Sequence, residues 1–238
     1  MGFAKSEGEA HTEALKRGLV LKSMGAAEDP ATLAFAAEAF EALKGSAKEE
    51  ASAADADLKG LVYSLAAANG GSEAFETLLA LYRDPATMSE EKVRILQSLG
   101  SAKDPALLRR TLEMVLDTEA SGVRPQDSMY CVAGVALNLQ HGRAFAWEWM
   151  KANWEALFEK YGTGGSFTLP RLVSYSTKFL VTEGDAADVE AFFADRKVEG
   201  AARTVAQSIE AIRVAAAMGA RDAAAVKAWL IEQQATAE

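Results

Sequence analysis

The chain has 238 residues, with 25 Lys and Arg against 34 Asp and Glu for a formal net charge of −9, and 50% of its residues are hydrophobic. That length buries a sizeable core as one large or two small domains, and a charged share of 25% is ordinary for a globular protein, so wholesale disorder is excluded. A sequence pI near 4.9 excludes the basic footprint that nucleic acid or an anionic membrane needs, so no nucleic-acid and no membrane partner is expected.

No apolar run approaches the ~18 residues of a membrane span, and the N-terminus lacks a secretory pattern. The single cysteine, Cys131, rules out an internal disulfide framework. A reducing compartment follows, and the expected location is cytoplasmic. Roughly a fifth of the residues are Ala, the best helix former, so the composition leans all-α.

In chain order, Asp29-Pro30 reads as an N-cap followed by Pro at the first helical position, where its missing N–H costs nothing. The helix it opens buries Leu33, Ala36, Ala37, Phe40 and Leu43, and Gly45 is expected to end it. Gly45 to Asp57, rich in Ala, Ser and Glu, is the best linker candidate. Leu58, Leu61, Val62 and Leu65 then follow helical spacing, as do Phe75, Leu78, Leu79 and Tyr82. Asn69-Gly70-Gly71 stops the first of these helices, and Ser72 offers the second an N-cap.

Asp104-Pro105 repeats the capping pattern ahead of Leu108, Thr111, Leu112 and Val115. One wide helix is predicted from about Gly142 to Tyr161, with aromatics on more than one face and therefore buried between layers. The turn Gly162 to Gly165 separates it from the next helix. About twelve helices are expected in all.

Residues 21–33 align with 96–108 at an offset of 75 residues, with eight of 13 positions identical. Half that offset is close to a HEAT or armadillo period. Duplication is one reading; convergence on a favourable capping sequence is the other. Either way the architecture is stacked helical hairpins, an all-α solenoid of antiparallel helix pairs.

Catalytic chemistry is hard to find. The two histidines, His11 and His141, are far apart, and neither sits in a His-Glu-x-x-His pattern. Glu7 and His11 are spaced to share a metal but read as a solvated helix start. Cys131 sits in an apolar stretch and reads as a buried, inert thiol. The glycine turn between Tyr161 and Ser166 lacks the Lys and the preceding strand of a phosphate loop. Glu49-Glu50 and Glu90-Glu91 read as solvated helix surface or as partners of a helix N-terminus. No catalytic residue and no cofactor of the chain's own are assigned.

A better feature is His141-Gly142-Arg143, where helix N–H groups and a guanidinium converge on a possible carboxylate. With Arg124 and Arg171, the candidate peptide-binding set is Arg124, Arg143, Arg171 and His141. For each, the plain alternative is a surface or intramolecular ion pair.

The ordered series of short motifs resembles the C-terminal helical domain of zinc aminopeptidases of the puromycin-sensitive type, over essentially the whole chain. The series runs from Gly2-Phe3 through His11 and Leu15 to Leu21, then Asp57 to Tyr63, and Glu90 to Leu96 with Leu99-Gly100. It continues with Val123-Arg124-Pro125-Gln126-Asp127 and with His141-Gly142-Arg143 leading into Ala146-Trp147 and Asn153-Trp154. Gly165 to Phe167, Arg171 to Val173 with Phe179, Ile209 to Arg213, Arg221-Asp222 and Trp229-Leu230 complete it. Ala215 and Met218 depart from the Asn and Trp usual in that family, so no role of that Asn carries over.

The resemblance implies a HEAT/armadillo-like superhelical bowl over the cleft of a zinc catalytic domain, limiting peptide access without cutting. The β-rich N-terminal domain, the Gly-x-Met-Glu-Asn motif and the zinc domain are not in this sequence. Residues 1–238 are therefore read as one helical domain of a larger aminopeptidase, with Met1 the start of a fragment or split gene. The implied partners are the catalytic domain of the same polypeptide and peptide substrates, with zinc in that missing domain. A free-standing helical-repeat scaffold for a protein or peptide is the alternative.

Overall fold

The computed structural model describes residues 2–4, 6, 8–44, 57–162, 167–196, 198 and 200–237. Glu7, the linker stretch 45–56 with Gly45 and Glu49-Glu50, and the glycine turn at 163–166 lie outside the described residues. Among the described residues there are thirteen α-helices and no strand, so the all-α helical-repeat reading holds.

The chain divides into two compact units, the first through Gly142 and the second from Arg143. The first holds α1 (His11–Ala26), α2 (Pro30–Lys44), α3 (Lys59–Asn69), α4 (Gly71–Arg83), α5 (Ser89–Leu99), α6 (Pro105–Leu116), the short α7 (Thr118–Ser121) and α8 (Met129–Leu137). A 3-10 turn at Pro125–Asp127 precedes α8. Here α3 packs on α2, α4 and α5, and α5 packs on α4, α6 and α8. Helices thus contact both the next element and one further along, as repeat folds do.

Both Asp-Pro caps form as expected. Asp29 Oδ2 accepts from the Thr32 N–H at 2.8 Å, and Asp104 Oδ1 accepts from the Ala106 N–H at 2.8 Å. The repeat-equivalent residues just before them carry opposite charges and meet: Lys103 Nζ lies 2.9 Å from Glu28 Oε1. The cap expected at Ser72 is not used. Gly70 donates to Ala66 O at 2.8 Å to close α3, and its own carbonyl accepts from Ala74 N–H at 3.3 Å to open α4. Gly71 takes a φ of 55°, which a glycine adopts without strain, and Ser72 falls inside the first turn.

Helices α5 and α8 approach closely. A Cβ on Gly134 would lie 2.2 Å from Gln97 O, and one on Gly100 would lie 2.1 Å from the Gly134 carbonyl carbon. Only glycine permits backbones at that separation. The buried side chains Ile95, Leu96, Leu99, Val132 and Val135 close around this crossing.

The second unit holds α9 (Arg143–Ala152), α10 (Trp154–Tyr161), α11 (Thr168–Thr177), α12 (Glu183–Ala194) and α13 (Ala202–Ala237). The single helix expected from Gly142 to Tyr161 is two, broken at Asn153. The Asn153 side chain donates to Trp149 O at 2.8 Å, and its backbone N–H donates to the same carbonyl at 3.1 Å. An asparagine that competes locally for backbone partners ends one helix and starts the next.

The aromatic burial expected of this region does hold. Trp154 packs edge-on to Phe192 and Phe193, with ring centroids at 6.0 and 5.0 Å. The start of α12 carries a reciprocal cap between Thr182 and Asp185.

Candidate functional site

Arg124 precedes the 3-10 turn. Its Nε donates to Asp127 Oδ2 at 2.5 Å, while an outer nitrogen reaches Ser89 Oγ at 3.4 Å. Asp127 is buried and the guanidinium half-exposed. Arg124 is thus committed to an intramolecular ion pair that pins the turn to the start of α5, leaving one edge open to solvent.

His141 and Gly142 end the first unit. The His141 backbone N–H donates to Asn138 Oδ1 at 3.1 Å, and its side chain is exposed. A Cβ on Gly142 would come within 2.1 Å of Val135 O, so this glycine serves the close return of the chain over the end of α8. Asn138 fastens the same corner by donating to Gly100 O at 3.1 Å and Ala102 O at 2.8 Å.

Arg143 is half-buried in the first turn of α9, and Arg171 is exposed in the first turn of α11. Helices α9 and α11 pack on each other. Neither guanidinium has an ion-pair or hydrogen-bond partner among the described residues, which leaves both available to an external anion. These two arginines, which begin packed helices, are the unpaired ones of the candidate set among the described residues.

The most connected charged group escaped the sequence reading. Of the two readings of Glu90-Glu91, both residues do lie in the first turn of α5, but Glu91 is buried rather than solvated, although its neighbour Glu90 is exposed. Its carboxylate accepts from the Tyr63 hydroxyl, lies 2.9 Å from Arg94 Nη1 and lies 3.4 Å from Lys59 Nζ. Burial, with the Glu91 hydrogen bond beside it, holds the Tyr63 phenol well above its usual range. The legible signal was spacing: Glu91, Ile95 and Leu99 share the buried face of α5, so a carboxylate on that face needs partners.

A second cluster stands on α9 and α12. Asp188 Oδ2 accepts from the Trp147 indole N–H at 2.6 Å and from Lys151 Nζ at 2.8 Å. The Lys151 hydrogen bond, then that of Trp147, keeps the Asp188 carboxyl below its ordinary range.

Neither cluster is a nucleophile–base pair. Cys131 is fully buried, and burial pushes its thiol up to about 12, which leaves it unreactive near neutrality. Among the described residues no group of three or more His, Cys, Asp and Glu side chains could hold a metal, so they offer zinc no ligand set. No helix among them is long and apolar enough to cross a membrane.

Residues 1–214 match the family described as the ERAP1-like C-terminal domain. The chain is 33% identical over 215 residues to Aminopeptidase M1 of Arabidopsis thaliana, covering 90% of this chain and 23% of that protein. It is 34% identical over 216 residues to Aminopeptidase M1-A of Oryza sativa subsp. japonica, again 90% of this chain and 23% of the relative. Aminopeptidase 2 of Candida albicans is 28% identical over 229 residues, 96% of this chain and 24% of that protein. The chain therefore spans about a quarter of the length of the curated relatives it matches. An all-helical chain matched over nine-tenths of its length belongs to the ERAP1-like C-terminal domain family, the helical domain of M1-type aminopeptidases.

Proposed function

We infer that this chain acts as the C-terminal domain of a zinc metallo-aminopeptidase, capping the active-site cleft and shaping which peptides reach it. The observation that supports the reading is the family match over residues 1–214, together with relatives named aminopeptidases of which the chain spans about a quarter. Its partner is the catalytic domain of the same polypeptide, which carries the zinc and performs the hydrolysis. The working location is the cytoplasm.

On this reading Arg143 and Arg171 engage the carboxylates of bound peptides, because they are the two arginines of the candidate set with no internal partner among the described residues. Arg124 contributes only through the edge of its guanidinium not held by Asp127. His141 lies at the same corner as Gly142 and is a weaker contact.

The test is kinetic. The isolated chain should not hydrolyse an aminoacyl arylamide, whereas the polypeptide that joins it to its catalytic segment should. In that polypeptide, Arg143→Ala and Arg171→Ala should each raise KM for peptides of about ten residues by about tenfold, the effect of one lost charge-assisted contact. KM for the arylamide should stay constant. Equal effects on long and short substrates would overturn the role assigned to the arginines. A native product the size of this chain, with no catalytic segment, would favour the free-standing scaffold.

A further inference from the structure

The residues that lead into α1 are fixed to the fold at two points. Near the start of the chain the Phe3 ring stacks on Phe35 of α2, with centroids 4.6 Å apart and planes 12° from parallel. Just before α1, the Glu9 carboxylate accepts from the Arg17 guanidinium of that helix. Both partners of this ion pair are enclosed, with 9% of the Glu9 side chain and 4% of the Arg17 side chain exposed.

A tight turn aims the carboxylate. The Glu9 N–H donates to Ser6 O at 3.1 Å, and the Ser6 N–H donates to Glu9 Oε2 at 3.1 Å. Arg17 meets the same oxygen. Gly8 lies in the turn with a φ of 75°, a left-handed conformation that glycine takes without strain.

The inner face of α1 is poor in apolar side chains. Its buried residues are Ala14, Arg17, Leu21 and Gly25, so Leu21 is the one large apolar group among them. In α4, by contrast, Phe75, Leu78, Leu79 and Tyr82 are all buried. Ala10, at the N-cap of α1, supplies no side-chain cap. A guanidinium on a buried face is costly unless its charge is met, and here a carboxylate from outside the helix meets it.

We propose that Phe3 and Glu9 are the two ends of a strap that decides whether α1 stays docked on α2 and α3. With the strap seated, the Glu9 charge lets Arg17 lie on the buried face. With it lifted, that pairing is lost and α1 leaves as a unit, while α4 to α6 keep their own contacts. The device couples the first helix to tension or cleavage in the segment ahead of it. Such a strap works in the chain by itself, whether or not a catalytic cleft is capped.

Amide hydrogen exchange of the 238-residue chain tests it, read separately in α1 and in α4 to α6. Glu9→Gln keeps the shape of the side chain and removes its charge. It should speed exchange in α1 by about tenfold or more and leave α4 to α6 unchanged. Phe3→Ala should act in the same direction but less. Combined with Glu9→Gln it should add almost nothing, because either lesion lifts the same strap. Gly8→Ala removes no contact yet strains the turn, and it too should speed exchange in α1. Glu9→Leu with Arg17→Met replaces both charges by apolar bulk and should restore the protection of α1, which separates undocking from misfolding. Unchanged exchange of α1 in Glu9→Gln overturns the proposal. Equal acceleration in α1 and in α4 to α6 also overturns it, since α1 is then no separate element. Additive effects of Phe3→Ala and Glu9→Gln overturn it as well, by reducing the strap to two unrelated contacts.

Discussion

The two compact units achieve close packing by opposite means. In the first, α5 and α8 approach until their backbones touch, with Gly100 and Gly134 at the crossing and Gly142 at the return of the chain. In the second, Trp147, Trp154, Phe192 and Phe193 fill the space between α9, α10 and α12 with ring against ring. One interface therefore fails when volume is added, and the other when volume is removed. Each also carries one carboxylate that binds helix to helix, Glu91 in the first unit and Asp188 in the second. Glu91 is enclosed, whereas the Asp188 side chain stays about half exposed.

The largest effect should come from removing an aromatic. Trp154→Ala deletes a ring that is 3% exposed and should destabilise the second unit by about 3–5 kcal/mol. Tryptophans 147, 149, 154 and 229 are the four in the chain, and all belong to the second unit. Their combined fluorescence therefore reports that unit's unfolding in urea. A loss under about 0.5 kcal/mol would mean that the ring is not part of a packed core.

Gly134→Ala is the complementary break. The added methyl meets Gln97 O and should cost about 1–3 kcal/mol, seen by circular dichroism as earlier loss of the first unit's helices. Tryptophan fluorescence should keep its wild-type midpoint. If both signals move together, the two units unfold as one cooperative block and the contrast between them fails.

Glu91→Gln should cost about 1–3 kcal/mol, because it removes the charge that Lys59 and Arg94 share and weakens the acceptor for the buried Tyr63 hydroxyl. Urea unfolding followed by circular dichroism measures it, and a neutral result would mark the network as dispensable.

Asp188→Asn should have the smallest effect, and pH reveals its sign. A carboxyl held below its ordinary value of 3.8 adds stability above that pH and loses the contribution as pH falls toward the folded value. The wild type should therefore exceed the variant slightly at pH 7, and the two should converge below about pH 4. A gap that persists into acid would show that Trp147 and Lys151 gain nothing from the charge.

Much of this was readable in advance, and the failures have different causes. The Asp29-Pro30 and Asp104-Pro105 caps were legible because an N-cap is satisfied within three residues of itself. Asn153 was misread because aromatic periodicity runs straight across it, while the break depends on one local side-chain bond. The place of Glu91 in the first turn of a helix was legible, but its enclosure beside a solvated Glu90 was not. Which of two adjacent acids turns inward depends on Tyr63 and Lys59, more than 25 residues away. The candidate arginines were visible as residue types, but their availability was not. Asp127 occupies Arg124, while Arg143 and Arg171 have no partner among the described residues.

By itself, then, the sequence determined the helical class, the two Asp-Pro caps and the family, because helix periodicity and such capping are settled within a few residues and the ordered motifs are specific in combination. Tertiary structure alone decided which glycines serve backbone contact, which carboxylate is enclosed and which part of α13 is buried. Those outcomes depend on what a distant segment places within 4 Å of a residue, and spacing along the chain gives the face of a helix but not the partner that meets it.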